Sequence, residues 1–385
     1  MAVERFHIQI AEEVLDDLKY RLDHTCWPDQ IEDKPWERGT ERGYLQSLVS
    51  YWRDRYDWRV KESELNRLSQ FTSNIDGIKV HFVHERGKGP NPLPIILTHG
   101  WPDSFIRYKK VIPLLTDPAR YGGDPNDAFD VIVPSLPGFG FSGKPATGGV
   151  NNFTVSGLWA KLMTEELGYK KFAAGGGDMG SGVARYMAAI HPELLLGIHV
   201  TDIGIIRQLL TAQDDGSLSK EELEYKAAVQ RWITQEGGYM SLQSTKPQTL
   251  AYGLSDSPVG LAAWIIEKFR SWSDCSCDLA QKFGNDELLT NIMIYWVTNS
   301  AGSAAHRYYE NSHSLPPLGR IDVPTGVALF ADDILLPPRK WAEQNVNITR
   351  WTEIPRGGHF AAMEEPELFA EDIRVFFRQL RNRAE

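Results

Sequence analysis

Gly176, Gly177, Asp178, Met179 and Gly180 follow an apolar run that ends at Gly175 and precede a helical pattern from Ser181 to Ile190. A strand, a sharp turn bounded by glycines and a helix, in that order, form the setting of a nucleophile elbow, where strained backbone holds the middle side chain exposed. That middle residue is Asp rather than Ser. A serine there would form an acyl-enzyme from an ester or amide. A carboxylate is a weak acyl nucleophile suited to attack at saturated carbon, which leaves an alkyl ester on the protein. Glycine and aspartate are also ordinary turn residues, so the motif alone separates an elbow from a loop poorly.

The residues that follow favour the elbow. The strand-like run Val323 to Phe330 ends at Asp332 and Asp333, and the stretch Pro355 to Phe360 puts His359 at the end of the next strand. Nucleophile, acid, histidine is the chain order such a set requires, with His359 as base and one of the two aspartates as its orienter. The chemistry expected of an Asp nucleophile is the opening of an epoxide or a haloalkane. An ester or amide hydrolase would need Ser, Thr or Cys at position 178.

At 385 residues, 42% of them hydrophobic, the chain can bury a large core, and its length suggests about two or three units. A formal net charge of −10 argues against a nucleic-acid or anionic-membrane partner, for which a basic face is expected. Cys26, Cys275 and Cys277 are an odd number without four-ligand zinc spacing, and a reduced, cytoplasmic setting is the simplest reading. The N-terminus Met1 to Arg5 starts no signal-peptide pattern, and no run near 18 apolar residues occurs. The chain is therefore read as soluble and unanchored.

Four stretches organise the chain. From about residue 8 to 75 the pattern is helical, with Leu15, Leu18 and Leu22 on one face, and residues 1–75 read as a segment packed on the main domain. Residues 76–204 alternate strand and helix, with strands at Lys79–His84, Pro94–Thr98, Asp130–Pro134, Phe172–Gly175 and Gly197–Thr201. Residues 205–318 lose the strand signal and read as a helical lid, with helices at Glu221–Thr234, Leu261–Ser271 and Asp286–Asn299. The alternation returns over 319–385, with strands at Gly326–Phe330 and Ile348–Ile354 and a last helix opened by Pro366. The expected fold is α/β, a mostly parallel sheet flanked by helices.

A second motif adds to this. The run Ile95 to Thr98 leads into His99, Gly100, Trp101 and Pro102, where an α/β-hydrolase keeps the loop that gives one oxyanion-hole amide. The backbone N–H groups of Trp101 and Met179 are the candidate donors. His99 and the Trp101 ring read equally well as packing, and no chemistry is assigned to them.

With these residues in hand, the chain resembles the microsomal-type epoxide hydrolases of the α/β-hydrolase fold. The matching text is Leu18–Pro28, Trp36–Trp58, His99–Pro102, Pro134–Ser142, Gly176–Gly180, Glu236–Met240, Asp256–Phe269, Arg307–Asn311 and Arg356–Pro366. The N-terminal membrane anchor of the microsomal enzymes is not expected here, so their location is not carried over.

The resemblance implies two lid phenols that hold the epoxide oxygen, at Tyr239 and Tyr308, with Tyr309 the rival for the second place. It favours Asp333 over Asp332 as the acid. The implied reaction forms a covalent ester on Asp178, which water activated by His359 then hydrolyses to a vicinal diol. An alkoxide leaving group needs a proton donor, and a phenol, with a pKa of ~10, serves better than water.

No cofactor and no metal are implied. The glycines at 175–180 lack a Gly-x-Gly-x-x-Gly fingerprint after the first strand. Expected partners are an epoxide and water, with a homodimer contact through the N-terminal segment left open. Trp232, Trp264, Phe269 and Trp272 would suit a bulky or aryl epoxide if they face the pocket, and would otherwise be core. Detoxification, catabolism and natural-product biosynthesis all remain open as physiological settings.

Two other readings stand beside this one. A haloalkane dehalogenase would use the same Asp, His and acid but would favour Trp after the nucleophile, where this chain has Met179. A catalytically silent, ligand-binding member would have lost a nucleophile, base, acid or phenol, and none is missing.

Overall fold

Residues 3–31, 34–204, 218–275 and 278–381 are described by a computed structural model of the chain. Cys277 and the first part of the expected lid, 205–217, lie outside them. The strands are β1 (Glu4–Arg5), β2 (Gln70–Ile75), β3 (Ile78–Glu85), β4 (Leu93–Thr98), β5 (Phe129–Pro134), β6 (Phe172–Gly176), β7 (Leu195–Val200), β8 (Ile321–Asp332) and β9 (Val346–Gly358). They form one sheet in the order β1-β2-β3-β5-β4-β6-β7-β8-β9. From β5 to β9 every pairing is parallel, and the β1–β2, β2–β3 and β3–β5 pairings are antiparallel.

The sequence explains this split. Strands β4, β5, β6 and β7 read as nearly continuous apolar runs and are buried along their length, as parallel strands covered on both faces require. The helices Asn152–Lys161 and Met179–Ile190 pack together on the sheet, and the last helix, Pro366–Arg381, packs against β7, β8 and β9. Pro366 does open that last helix.

The helical reading of 8–75 holds only as far as Leu65. Helices cover Glu12–Asp23, Arg42–Asp54 and Trp58–Leu65, after which Gln70–Ile75 turns back on Ile78–Glu85 as a hairpin. Its two-residue turn is Asp76–Gly77, both with positive φ (51° and 80°), the Asp-Gly chemistry of a tight hairpin. Strong helical periodicity upstream hid that local signal. The edge of the sheet is thus built from the N-terminal segment itself.

The helices Lys220–Glu236, Gly238–Thr245, Pro247–Asp256, Pro258–Trp272, Asn285–Val297 and Ala301–His313 make a block between β7 and β8. The N-terminal segment braces this block. Tyr51 Oη donates to Asp286 Oδ1 at 2.9 Å, Thr40 Oγ1 donates to the Ala263 carbonyl at 2.7 Å, and Trp52 Nε1 reaches Met293 Sδ at 3.3 Å. Among the described residues, no helix is long and apolar enough to cross a membrane.

Candidate active site

Strand β6 ends at Gly176 and the helix Met179–Ile190 begins three residues later. Between them Asp178 has φ 55° and ψ −125°, a conformation that L-residues rarely adopt. Close packing holds the turn in place, since a Cβ on Gly180 would run into the Thr98 carbonyl and one on Gly100 into the Asp178 side chain. The N–H of Asp178 donates to Asp202 Oδ2 at 2.7 Å. Its Oδ1 accepts the backbone N–H of Trp101 at 2.9 Å. Met179 opens the helix, and its N–H is one of the first-turn amides that have no acceptor within the helix.

The loop after β4 is anchored on all sides. Gly100 N–H donates to Asp103 Oδ1 at 2.8 Å, Asn291 Nδ2 to the Pro102 carbonyl at 2.7 Å, and Tyr295 Oη to the Asp103 carbonyl at 2.7 Å. Arg107, buried with Asp103 as its ion-pair partner, donates through Nη2 to the His359 carbonyl at 2.7 Å. The Trp101 loop and the His359 loop therefore share one buried guanidinium. Both ring nitrogens of His99 are engaged by backbone, Nδ1 at the Gly100 carbonyl and Nε2 at the Leu136 N–H. His99 is structural.

His359 lies at the end of β9. Its Nδ1 bonds Asp333 Oδ1 at 2.8 Å, and its Nε2 faces Asp178 Oδ2 at 3.5 Å. Burial alone would push this imidazole down, but the charges and hydrogen bonds of Asp333 and Asp178 outweigh it and raise the pKa to about 10. Asp332, one residue earlier, is exposed at the end of β8, while the Asp333 side chain is buried against His359.

Tyr239 and Tyr308 come from different helices, Gly238–Thr245 and Ala301–His313, and meet with ring centroids 5.8 Å apart at 83°. The Trp101 ring stacks on Tyr239 at 5.0 Å and stands edge-on to Tyr308 at 5.7 Å. Burial, together with the Asp178 charge, holds both phenols well above their ordinary value, so both keep their protons. Tyr309 points away: it is 37% exposed and stacks on His313.

A cavity of about 290 Å³ joins these groups. Asp178, Met179, Tyr239, Tyr308, Asp333 and His359 line it, together with Trp232, Met240, Ile334, Leu335 and Pro337. Trp264 does not line it. That residue lies two turns before Trp272, about 12 Å along the helix axis, and packs partly buried against the core. Phe269 is core, stacked on Phe360 at 4.0 Å, and Trp272 packs behind Tyr239 and His359. A larger groove of about 710 Å³, between Tyr20–Leu45 and Asp256–Ala263, stands apart from the carboxylate and imidazole cluster.

Three residues near this cluster were not foreseen. Asp202, just past β7, lines the cavity, and burial pushes its carboxyl up to about 6, with Asp333 and Asp178 adding to the rise against the pull of Arg185. Its place beyond the carboxyl end of a parallel strand was the available signal. Asp103 and Arg107, four apart after the His99–Pro102 motif, had the spacing of an ion pair on one helical turn.

The comparisons with known proteins agree over the whole chain. Residues 3–108 match the family described as "Epoxide hydrolase N terminus", and residues 94–366 match "alpha/beta hydrolase fold". The chain is 46% identical to a relative from Stigmatella aurantiaca, over 98% of this chain and 85% of that one. It is 37% identical to "Epoxide hydrolase 1" of Oryctolagus cuniculus, over 97% of this chain and 88% of that one. The crystal structure of juvenile hormone epoxide hydrolase from the silkworm Bombyx mori superposes with a TM-score of 0.85 at 29% identity, covering 100% of this chain and 95% of that one. With a mostly parallel sheet, an aspartate at its elbow and these relatives, the chain belongs to the epoxide hydrolase family of the α/β-hydrolase fold.

Proposed function

We propose that the protein converts an epoxide to a vicinal diol through a covalent ester on Asp178, with His359 and Asp333 as base and orienter and Tyr239 and Tyr308 as acids. One observation carries this reading. Asp178 lies between a backbone amide at 2.9 Å and an imidazole at 3.5 Å, in a cavity that two buried phenols also line. A carboxylate so held can attack a ring carbon while a phenol on the other side gives its proton to the opening oxygen.

The charges order the steps. In the resting site His359 is protonated, because Asp333 and Asp178 raise it to about 10. Alkylation turns Asp178 into a neutral ester, which removes one of the two carboxylates supporting that proton. The imidazole then releases its proton to the phenolate left by the first step, and neutral His359 can take a proton from water. The water oxygen bonds to the Asp178 carbonyl carbon, and the amides of Trp101 and Met179 receive the oxyanion. Collapse breaks the ester, the leaving alkoxide takes the proton from His359, and the regained carboxyl proton returns to the imidazole.

The lining suits a compact, uncharged, apolar epoxide: Trp232, Met240, Leu335 and Pro337 supply apolar surface, and no Lys or Arg is among the described lining residues. The test is a single turnover of racemic styrene oxide in ¹⁸O-labelled water. Label should enter the Asp178 carboxylate first and reach diol only in later turnovers. Label passing straight into the first diol would mean direct attack by water and would remove the covalent reading.

A further inference from the structure

Four consecutive backbone amides around His359 are each held by a partner outside the strand ladder. Gly357 N–H donates to Asp274 Oδ2 at 3.0 Å, Gly358 N–H to Glu364 Oε2 at 3.0 Å, His359 N–H to the Trp272 carbonyl at 2.7 Å, and Phe360 N–H to Glu364 Oε1 at 2.9 Å. Glu364 Oε2 also accepts the N–H of Asp274 at 2.8 Å. One buried carboxylate thus gathers the amides on both sides of His359 and one amide just past the end of the Pro258–Trp272 helix.

A carboxylate removed from water is costly unless its lone pairs are filled, and here three peptide donors fill them. The same helix end reaches the site twice more. The Trp272 ring packs on Tyr239 at 5.1 Å and stands edge-on to His359 at 5.3 Å. Asp178, by contrast, is positioned by β6, Trp101 and Asp202, none of which bonds to Glu364.

We infer that Glu364 is a positioning residue for the base: its carboxylate clasps the His359 loop to the end of the Pro258–Trp272 helix and so fixes the imidazole against the ester that water attacks. This rests on the two-step reading above. The clasp acts on the second half-reaction. Glu364→Gln keeps the shape but has one carbonyl oxygen, so its NH₂ must face a peptide N–H and at least one of the three bonds is lost.

The experiment compares wild type, Glu364→Gln, Asp274→Ala and His359→Gln with styrene oxide, measuring alkylation and ester hydrolysis by quenched single turnover and intact mass. Asp274→Ala, at a partly exposed side chain, removes the acceptor of the Gly357 N–H, a second tie between the same loop and the same helix end, and leaves the buried carboxylate of Glu364 in place. In the clasp variants hydrolysis should slow by roughly 10- to 100-fold, the scale of a misplaced catalytic group, with alkylation unchanged within about twofold. The alkyl-enzyme then accumulates, and kcat and KM fall together while kcat/KM holds. Both half-reactions slowing alike would show a merely structural role and overturn the inference, as would unchanged hydrolysis in folded variants. An adduct in His359→Gln but in neither clasp variant overturns the clasp alone. No adduct in His359→Gln removes the covalent reading and the clasp's role with it.

Discussion

His359 Nε2 stands 3.5 Å from Asp178 Oδ2, close enough that the charge of the proposed nucleophile adds to that of Asp333 in raising the proton affinity of the proposed base. Asp178→Asn should therefore lower the imidazole titration below the wild-type value of about 10. The direction follows from removing a nearby negative charge. NMR of the His359 ring against pH checks it, and an unmoved titration would mean that Asp333 alone supports the proton. The same variant should lose turnover altogether, with mass spectrometry guarding against reversion by deamidation.

The raised imidazole also shapes stability against pH. A folded value above the unfolded value of 6.5 means that the native protein binds a proton the unfolded chain does not. The contribution is complete below pH 6.5 and is lost as pH rises through about 10. The melting-temperature advantage of wild type over His359→Gln should therefore be largest near pH 6 and shrink towards pH 10. A constant difference across that window would contradict the ion-paired resting state.

Tyr308 faces the cavity and Tyr309 faces solvent, one residue apart on the same helix. Tyr308→Phe should slow alkylation by roughly 10²–10⁴-fold if it is the main proton donor, while Tyr309→Phe leaves the rate unchanged. The reverse pattern would shift the proton donor by one position. Because both phenols line one cavity, Tyr239→Phe is measured beside them to divide the work.

A parallel contrast separates the two aspartates. Asp333→Asn breaks the carboxylate bond to His359 Nδ1, and by comparison with orienting aspartates elsewhere it should slow ester hydrolysis by up to about 10⁴-fold. Asp332→Asn, at an exposed strand end, should behave like wild type. Rapid quench of the alkyl-enzyme reads the difference directly.

What the sequence reveals and what it conceals divide along a physical line. The strands from 78 onward and the turn at Asp178 are legible because apolar runs and glycines act locally. The Gln70–Ile75 strand was missed because helical periodicity upstream outweighed the Asp76–Gly77 turn. Which tyrosine enters the cavity depends on helix phase, and which aspartate meets His359 on where β8 ends. Neither is written in residue type. Glu364, Asp274 and Trp272 could not be linked from text at all, since the bonds that join them to one another and to the His359 loop span up to 90 residues and use backbone amides, which every residue except proline carries.

Trp232 and Trp264 give the last contrast, because both read as pocket aromatics in the sequence and only Trp232 lines the cavity. Trp232 also stands edge-on to Tyr239 at 6.4 Å, so its removal opens space beside the proposed acid. Trp232→Ala should shift the kcat/KM ratio towards a bulkier substrate such as stilbene oxide over styrene oxide by roughly tenfold or more, the scale of a few methylenes in an apolar pocket. Trp264→Ala should leave that ratio where it is and lower the melting temperature instead, since its ring packs against the core and not the cavity. A changed ratio in Trp264→Ala with none in Trp232→Ala would mean that substrate lies along the Pro258–Trp272 helix rather than in the cavity over Asp178.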